Sequence, residues 1–311
     1  MTLKSKKKEA KPMSKLETLI DEEQQRSDAW KEQKTAERNE LNALSDEAVT
    51  RTTTEPEAYL RYLDVQADNP AYSASNVLLA TAQRPDVTVF HSLEQWNKMG
   101  RSIKAQETGI KVRVSEPYTR EGRKYYGFKI DRAFDISQTE GKDVAARLPS
   151  EEDSPQMEAA LRKLLRLSPV PVRTSAEAEF DARYDPATKT ILVSSGLPEA
   201  KQFAALAREV YHASAHENSR AGEYDREQYA LDAESAGYML CRSFGVPCEK
   251  PHAAKVAELY ADMEPMLRRD ILDDIRKSFR SMQQEIVKEL MPKTKTRAEQ
   301  SRALRNRGMS R

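Results

Sequence analysis

Five residues constrain this chain most. Ile110-Lys111-Val112-Arg113-Val114 alternates apolar and cationic side chains without a break. That is the period-2 signature of a strand with one covered face. Glu121-Gly122 supplies a turn, and Tyr125–Ile130 and Ala133–Ile136 read as further strands. With Val87–Phe90 and a short helix opened by a Ser92/Gln95 capping box, residues 86–136 predict a small α+β module with an antiparallel sheet.

Elsewhere apolar residues recur at threes and fours. A helix is expected after Pro56, and another after Ser75 as N-cap. In the second half helices are expected at 156–167, 199–217 and 225–243, with an extended piece at 170–172 and a strand at 190–193. The stripe Val256, Leu259, Met263, Leu267, Ile271 and onward to Leu290 predicts an αα pair interrupted at Pro265. Residues 1–45 are charged and sparse in apolar side chains, which reads as a mobile arm leading into loose helix. The expected division is arm 1–45, module 46–147, second domain 155–250, helical extension 251–292 and disordered basic tail 293–311.

A net charge of +1 over 311 residues conceals segregation. Residues 1–17 hold six Lys against two Glu, 293–311 seven basic against one acidic, and 84–132 eleven basic against six acidic. The remainder is acidic. Such confinement points to a polyanion-binding surface, although the tails alone read equally well as solubilising ends. No apolar run approaches a membrane span and no signal-peptide core follows Met1, so a cytoplasmic protein is expected. Cys241 and Cys248 lack metal or redox spacing.

Two stretches together resemble a known family. Trp96-x3-Gly-Arg-x-Ile-Lys-x2-Glu-x-Gly-Ile110, then Phe128-Lys129, then Ala-Phe-Asp-Ile-Ser-Gln-Thr-Glu-Gly at 133–141, are similar to the N-terminal domain of ArdC-type antirestriction proteins. That domain also occurs in LtrC-like conjugation proteins. The resemblance implies single-stranded DNA binding by a protein of a plasmid, conjugative element or phage. Such binding needs cations to track phosphates and flat side chains on which bases stack. Arg101, Lys104, Lys111, Arg113, Arg123, Lys124 and Lys129 are candidates for the first. Lys111 and Arg113 are expected on the open face of their strand. Tyr118 and Tyr126, with Trp96, Tyr125 and Phe128, are candidates for the second, and the alternative is that the aromatics pack inside. Trp96 is the one most expected to be buried.

The second stretch is Phe203–His212, at the place where the ArdC-like C-terminal domain carries a zinc-peptidase helix with His-Glu-x-x-His. Here the first histidine is Arg208, which cannot coordinate a metal. Glu209 stands at the general-base position, His212 and Glu234 at two ligand positions, the latter within Ala233-Glu234. His216, one turn on, opens a shifted set of His212, His216 and Glu234 that could hold zinc. The resemblance therefore implies an α+β protein with a zincin-like domain, and Arg208 at the first ligand position makes a degenerate peptidase without a cofactor the expectation, with zinc as the alternative. Alternatives are an active zinc peptidase on shifted ligands, or a scaffold docking a relaxase, primase or restriction enzyme. If no zinc binds, Arg208 is expected to pair Glu209 and Glu234; the alternative is that it points to solvent.

Overall fold

The computed structural model describes residues 14–144, 154–176, 178–219 and 223–291. The basic tail at 293–311 and the first thirteen residues of the arm lie outside them. Helix α1 (Lys15–Thr52) begins at a capping box in which Ser14 and Glu17 satisfy each other's backbone N–H. The helix expected to follow the arm is continuous over 38 residues, about 57 Å long at 1.5 Å per residue. Leu41, Ser45, Ala48, Val49 and Thr52 form its buried stripe. Its N-terminal half is exposed and carries close pairs such as Arg26–Glu23 at 2.8 Å and Lys34–Glu37 at 3.1 Å. Those local pairs, rather than core contacts, support the helix there.

Helices α2 (Pro56–Asp68) and α3 (Ala74–Gln83) follow, α3 capped by Ser73 rather than the expected Ser75. Asn69 joins them to the sheet: its side-chain amide donates to the carbonyls of Val65 and Thr88 and accepts from the Phe90 N–H. Strand β1 (Phe90–Ser92) runs straight into α4 (Leu93–Lys98) through the Ser92/Gln95 capping box. Then come β2 (Arg101–Ile103), β3 (Ile110–Arg120), β4 (Arg123–Asp135) and β5 (Thr139–Gly141). One antiparallel sheet has the order β1-β4-β3, and β2 pairs with β5. The expected strand at 87–90 starts only at Phe90, because the Thr88 N–H is taken by the Asp135 carboxylate at 2.6 Å.

The string at 133–141 is a structural knot. Asp135 also accepts from Ser137, Gln138 reaches the Thr108 carbonyl, and the Phe134 carbonyl accepts the Trp96 indole N–H at 2.8 Å. Gly141 has φ +131°, and a Cβ there would lie 2.5 Å from the Gly100 carbonyl oxygen. Only glycine fits.

The second half holds α5 (Pro155–Leu167), β6 (Val172–Ser175), β7 (Ala182–Asp185), β8 (Thr190–Ser194), α6 (Glu199–Asn218), α7 (Ala230–Ser243), the short α8 (Val256–Leu259) and α9 (Pro265–Leu290). β8 is central, parallel to β6 and antiparallel to β7. The expected αα pair broken at Pro265 has a first helix of a single turn, α8, and Pro265 opens the 26-residue α9 at its N1 position, where no N–H is needed. α9 and α7 seal the two halves together. The Tyr59 and Ser235 hydroxyls meet at 2.9 Å, Tyr238 bonds Asp64, Arg268 reaches Thr53, and Asp273 caps the Ala74 N–H. One continuous apolar core runs from Ala48 to Ile286. The architecture is α+β with small sheets and a helical C-terminal region. Among the described residues no helix is long and apolar enough to cross a membrane.

Candidate nucleic-acid interface and peptidase-like site

The β3–β4 hairpin begins in the core and ends in solvent. Ile110, Val112 and Ala133 are buried, but from Val114 outward nearly every side chain is exposed. The turn places Glu121 at φ +53° and Gly122 at φ +75°, the type I′ geometry that matches strand twist. Cross-strand register sets the faces. Tyr118 opposes Tyr125, and their rings stack at 5.6 Å. On the other face Tyr126 opposes Pro117 and Phe128 opposes Ser115. Tyr126 is 75% and Phe128 67% exposed. Arg120, Arg123, Lys124 and Lys129 are interleaved with them.

The structure thus brings Tyr118, Arg123, Lys124, Tyr126 and Lys129 onto one finger, and puts four other candidates elsewhere. Lys111 and Arg113 do not lie on an open face; α1 covers it. Lys111 pairs with Glu37 at 3.4 Å, and Arg113 donates to the Leu41 carbonyl, Asn42 and Ser75. Arg101 bonds Thr139, and Lys104 the Ser137 carbonyl, both on the β2–β5 side. Trp96 is fully buried.

In the second half, α6 and α7 cross with Gly237 against the Arg208 backbone, where a Cβ would stand 3.4 Å from the Arg208 nitrogen. Glu209 is fully buried and fully engaged. Arg226 donates to both carboxylate oxygens at 2.8 and 2.9 Å, Arg208 Nε donates at 2.9 Å, and the Tyr184 N–H of β7 at 2.8 Å. Burial alone would push this carboxyl up, but the Arg226 bonds and charge outweigh it and hold it below the usual range. Arg208 therefore pairs Glu209 as expected of it, but not Glu234. Glu234 turns to the His252 N–H at 2.8 Å and to its ring at 3.3 Å. Arg226 was invisible in the sequence: it lies seventeen residues from Glu209, in a loop with no motif.

His212 is buried, its Nδ1 hydrogen-bonded with the Tyr224 hydroxyl at 3.0 Å, and His216 Nδ1 meets the Tyr184 hydroxyl at 2.7 Å. Burial, the largest cause, lowers the His212 pKa to about 4. Beside Arg208 and Glu234 opens a cavity of about 660 Å³, also lined by Tyr238, Cys241, Cys248 and His252.

No family model and no curated protein matches the chain. Solved structures do. A Mn(II)-bound structure of the antirestriction ArdC protein from plasmid R388 superposes with a TM-score of 0.53 at 19% identity, covering 82% of this chain and 99% of that one. The fold is that of ArdC. A metal-free structure of the same protein is matched at a TM-score of 0.47 and 21% identity, over 70% of this chain and 85% of that one.

Within this ArdC-like fold the donor chemistry does not suit a divalent cation. Arg208 is permanently charged, and Glu209 already has two guanidinium partners. His212, His216 and Glu234 each face a different protein partner, and among the described residues no group of three or more His, Cys, Asp and Glu could hold a metal ion.

Proposed function

We propose that this chain is a single-stranded-DNA-binding protein of the antirestriction type, carried by a mobile element, and that its peptidase-like half is a non-catalytic scaffold. The observation that carries the reading is the β3–β4 finger, on which four exposed aromatic side chains alternate with four cations beyond the last core contact. Exposing such rings is unfavourable unless something covers them. Bases supply that cover, each stack contributing about 1–3 kcal/mol without regard to sequence, while the cations follow phosphates. The antirestriction role rests on likeness to ArdC. The scaffold role rests on the saturated Glu209, which has no free lone-pair direction left to activate a water.

The test is binding of labelled single strands and matched duplex across a salt series. Affinity should be indifferent to sequence, should favour single strands, and should fall with a log–log slope of roughly −3 if about four phosphates are contacted, at about −0.7 each. Tyr126→Ala with Phe128→Ala should weaken it by about 2 kcal/mol or more. Preference for duplex, or a flat salt response, ends the proposal.

A further inference from the structure

Trp30 has no structural reason to be where it is. It sits on the exposed half of α1 with 60% of its surface in solvent, in a helix whose buried residues begin only at Leu41. An exposed tryptophan on a charged helix calls for an explanation. α1 does not stand free there. The Lys111–Glu37 pair and the bonds from Arg113 to Leu41 and Asn42 hold it against the base of the hairpin, and just N-terminal of that seam the two elements enclose a groove. The groove measures about 360 Å³; Trp30, Lys34 and Arg38 line it from α1, and Glu116, Lys129 and Ile130 from the hairpin. Strand alternation puts Tyr126 and Phe128 on the same face of β4 as Ile130, so the aromatic face of the finger continues outward from the groove wall.

We propose that this groove is the second wall of the single-strand site, and that Trp30 is a stacking platform for a base held between α1 and the hairpin. The proposal rests on the single-strand-binding reading of the finger and extends it to an element outside the sheet. The occupant follows from the lining. A flat apolar ring beside cations suits a base joined to a phosphate better than it suits an aliphatic peptide. The cations can be recruited: among the described residues Lys34 is paired with Glu37 on its own helix and Lys129 with Glu116, exposed contacts of little net worth that a phosphate can displace. Arg38 makes no ion pair among the described residues.

The chain carries its own probe. It has two tryptophans, Trp30 exposed and Trp96 fully buried with its indole N–H bonded to the Phe134 carbonyl. Emission that is accessible to iodide therefore comes from Trp30. Titrating the full chain with a short oligothymidylate should quench that emission and shield it from iodide, and Trp30→Phe should abolish the quenching while leaving binding measurable by anisotropy. Trp30→Ala should weaken binding by about 5- to 150-fold, as expected for one lost stack, with an unchanged melting temperature because the side chain packs on little. Binding with unaltered emission and an unaltered affinity in Trp30→Ala overturns the groove and leaves the finger standing. No binding by the unmodified chain overturns both. Equal quenching by duplex, or emission that shifts with protein concentration in the absence of DNA, also overturns it, the latter by assigning Trp30 to a second copy of the chain.

Discussion

Arg226 grips Glu209 with two parallel hydrogen bonds, 2.8 and 2.9 Å long, at the bottom of the α6–β7 interface. Each bond of this fork-on-fork geometry is charge-assisted, and such bonds are about twice as strong as those between neutral groups. It fastens the loop before α7 onto α6, while the same carboxylate caps β7 through the Tyr184 N–H.

Removing Arg226 leaves the buried Glu209 with Arg208 as its one remaining guanidinium partner among the described residues. Arg226→Ala should destabilise by about 1–3 kcal/mol, the cost of two lost charge-assisted hydrogen bonds. Glu209→Gln with Arg226→Met should cost less, because glutamine still accepts from Tyr184 and the charge that loses its carboxylate, Arg208, is partly exposed. The two are separated by chemical denaturation; equal losses would show that the pairing itself matters little.

Mn(II) should leave the unmodified chain unmoved. A bound ion stabilises by about 2.7 kcal/mol at a hundredfold excess over its dissociation constant. The melting temperature should not climb with Mn(II) or Zn(II), nor fall with chelator. A clear rise would place an ion beside Arg208 despite its charge.

His212 makes stability depend on pH in a definite direction. Its folded pKa of about 4 lies below the unfolded value near 6.5. Between those limits the unfolded chain holds a proton that the folded chain refuses. Stability from this group is complete above about 6.5 and is lost as pH falls toward 4, by on the order of 3 kcal/mol. His212→Gln, whose amide can donate to or accept from the Tyr224 hydroxyl, should remove that slope in denaturation curves taken at a series of pH values.

Asp232 acts with the opposite sign. Burial first, and the Asp274 charge second, raise its pKa to about 7. The folded chain then keeps a proton that the unfolded chain gives up above about 3.9. Its cost therefore appears as pH rises through that range. Asp232→Asn should stabilise at pH 8 by about 1–2 kcal/mol, less than the full shift because the residue is only half-buried, and should change little at pH 4.

Arg113 and Arg123 lie on one hairpin and should separate cleanly in experiment. Arg113→Ala strands Asn42, Ser75 and the Leu41 carbonyl, and should destabilise by about 1–3 kcal/mol while the salt slope of DNA binding stays fixed. Arg123→Ala should lower that slope by about 0.7 per lost phosphate and shift stability by no more than about 0.5 kcal/mol.

Local signals in the sequence located most elements. The alternation at 110–114, the Glu121-Gly122 turn and the Ser92 capping box all mark features that neighbours in sequence determine, and each stands where it was expected. Long-range partners were not legible. Lys111 and Arg113 look solvent-facing from alternation alone, and only the fold brings α1 across them. The same limit hid Arg226, whose role exists only once Glu209 is buried beneath it. The full length of α1 is not legible because its N-terminal part is held by local ion pairs and a cap, which leave no apolar periodicity there. Arg208 was readable as a departure from pattern, yet its actual partner, Glu209 without Glu234, depended on where His252 falls.

The hairpin leaves the core at Val114 and returns to it only at Ala133. Most positions between contribute almost nothing to whether the chain folds. Their sequence is therefore free to drift or be rewritten without risk to the rest of the molecule. A randomised library confined to 115–120 and 123–128, which spares the Glu121-Gly122 turn that fixes the register, would have survivors sorted by what the finger grips.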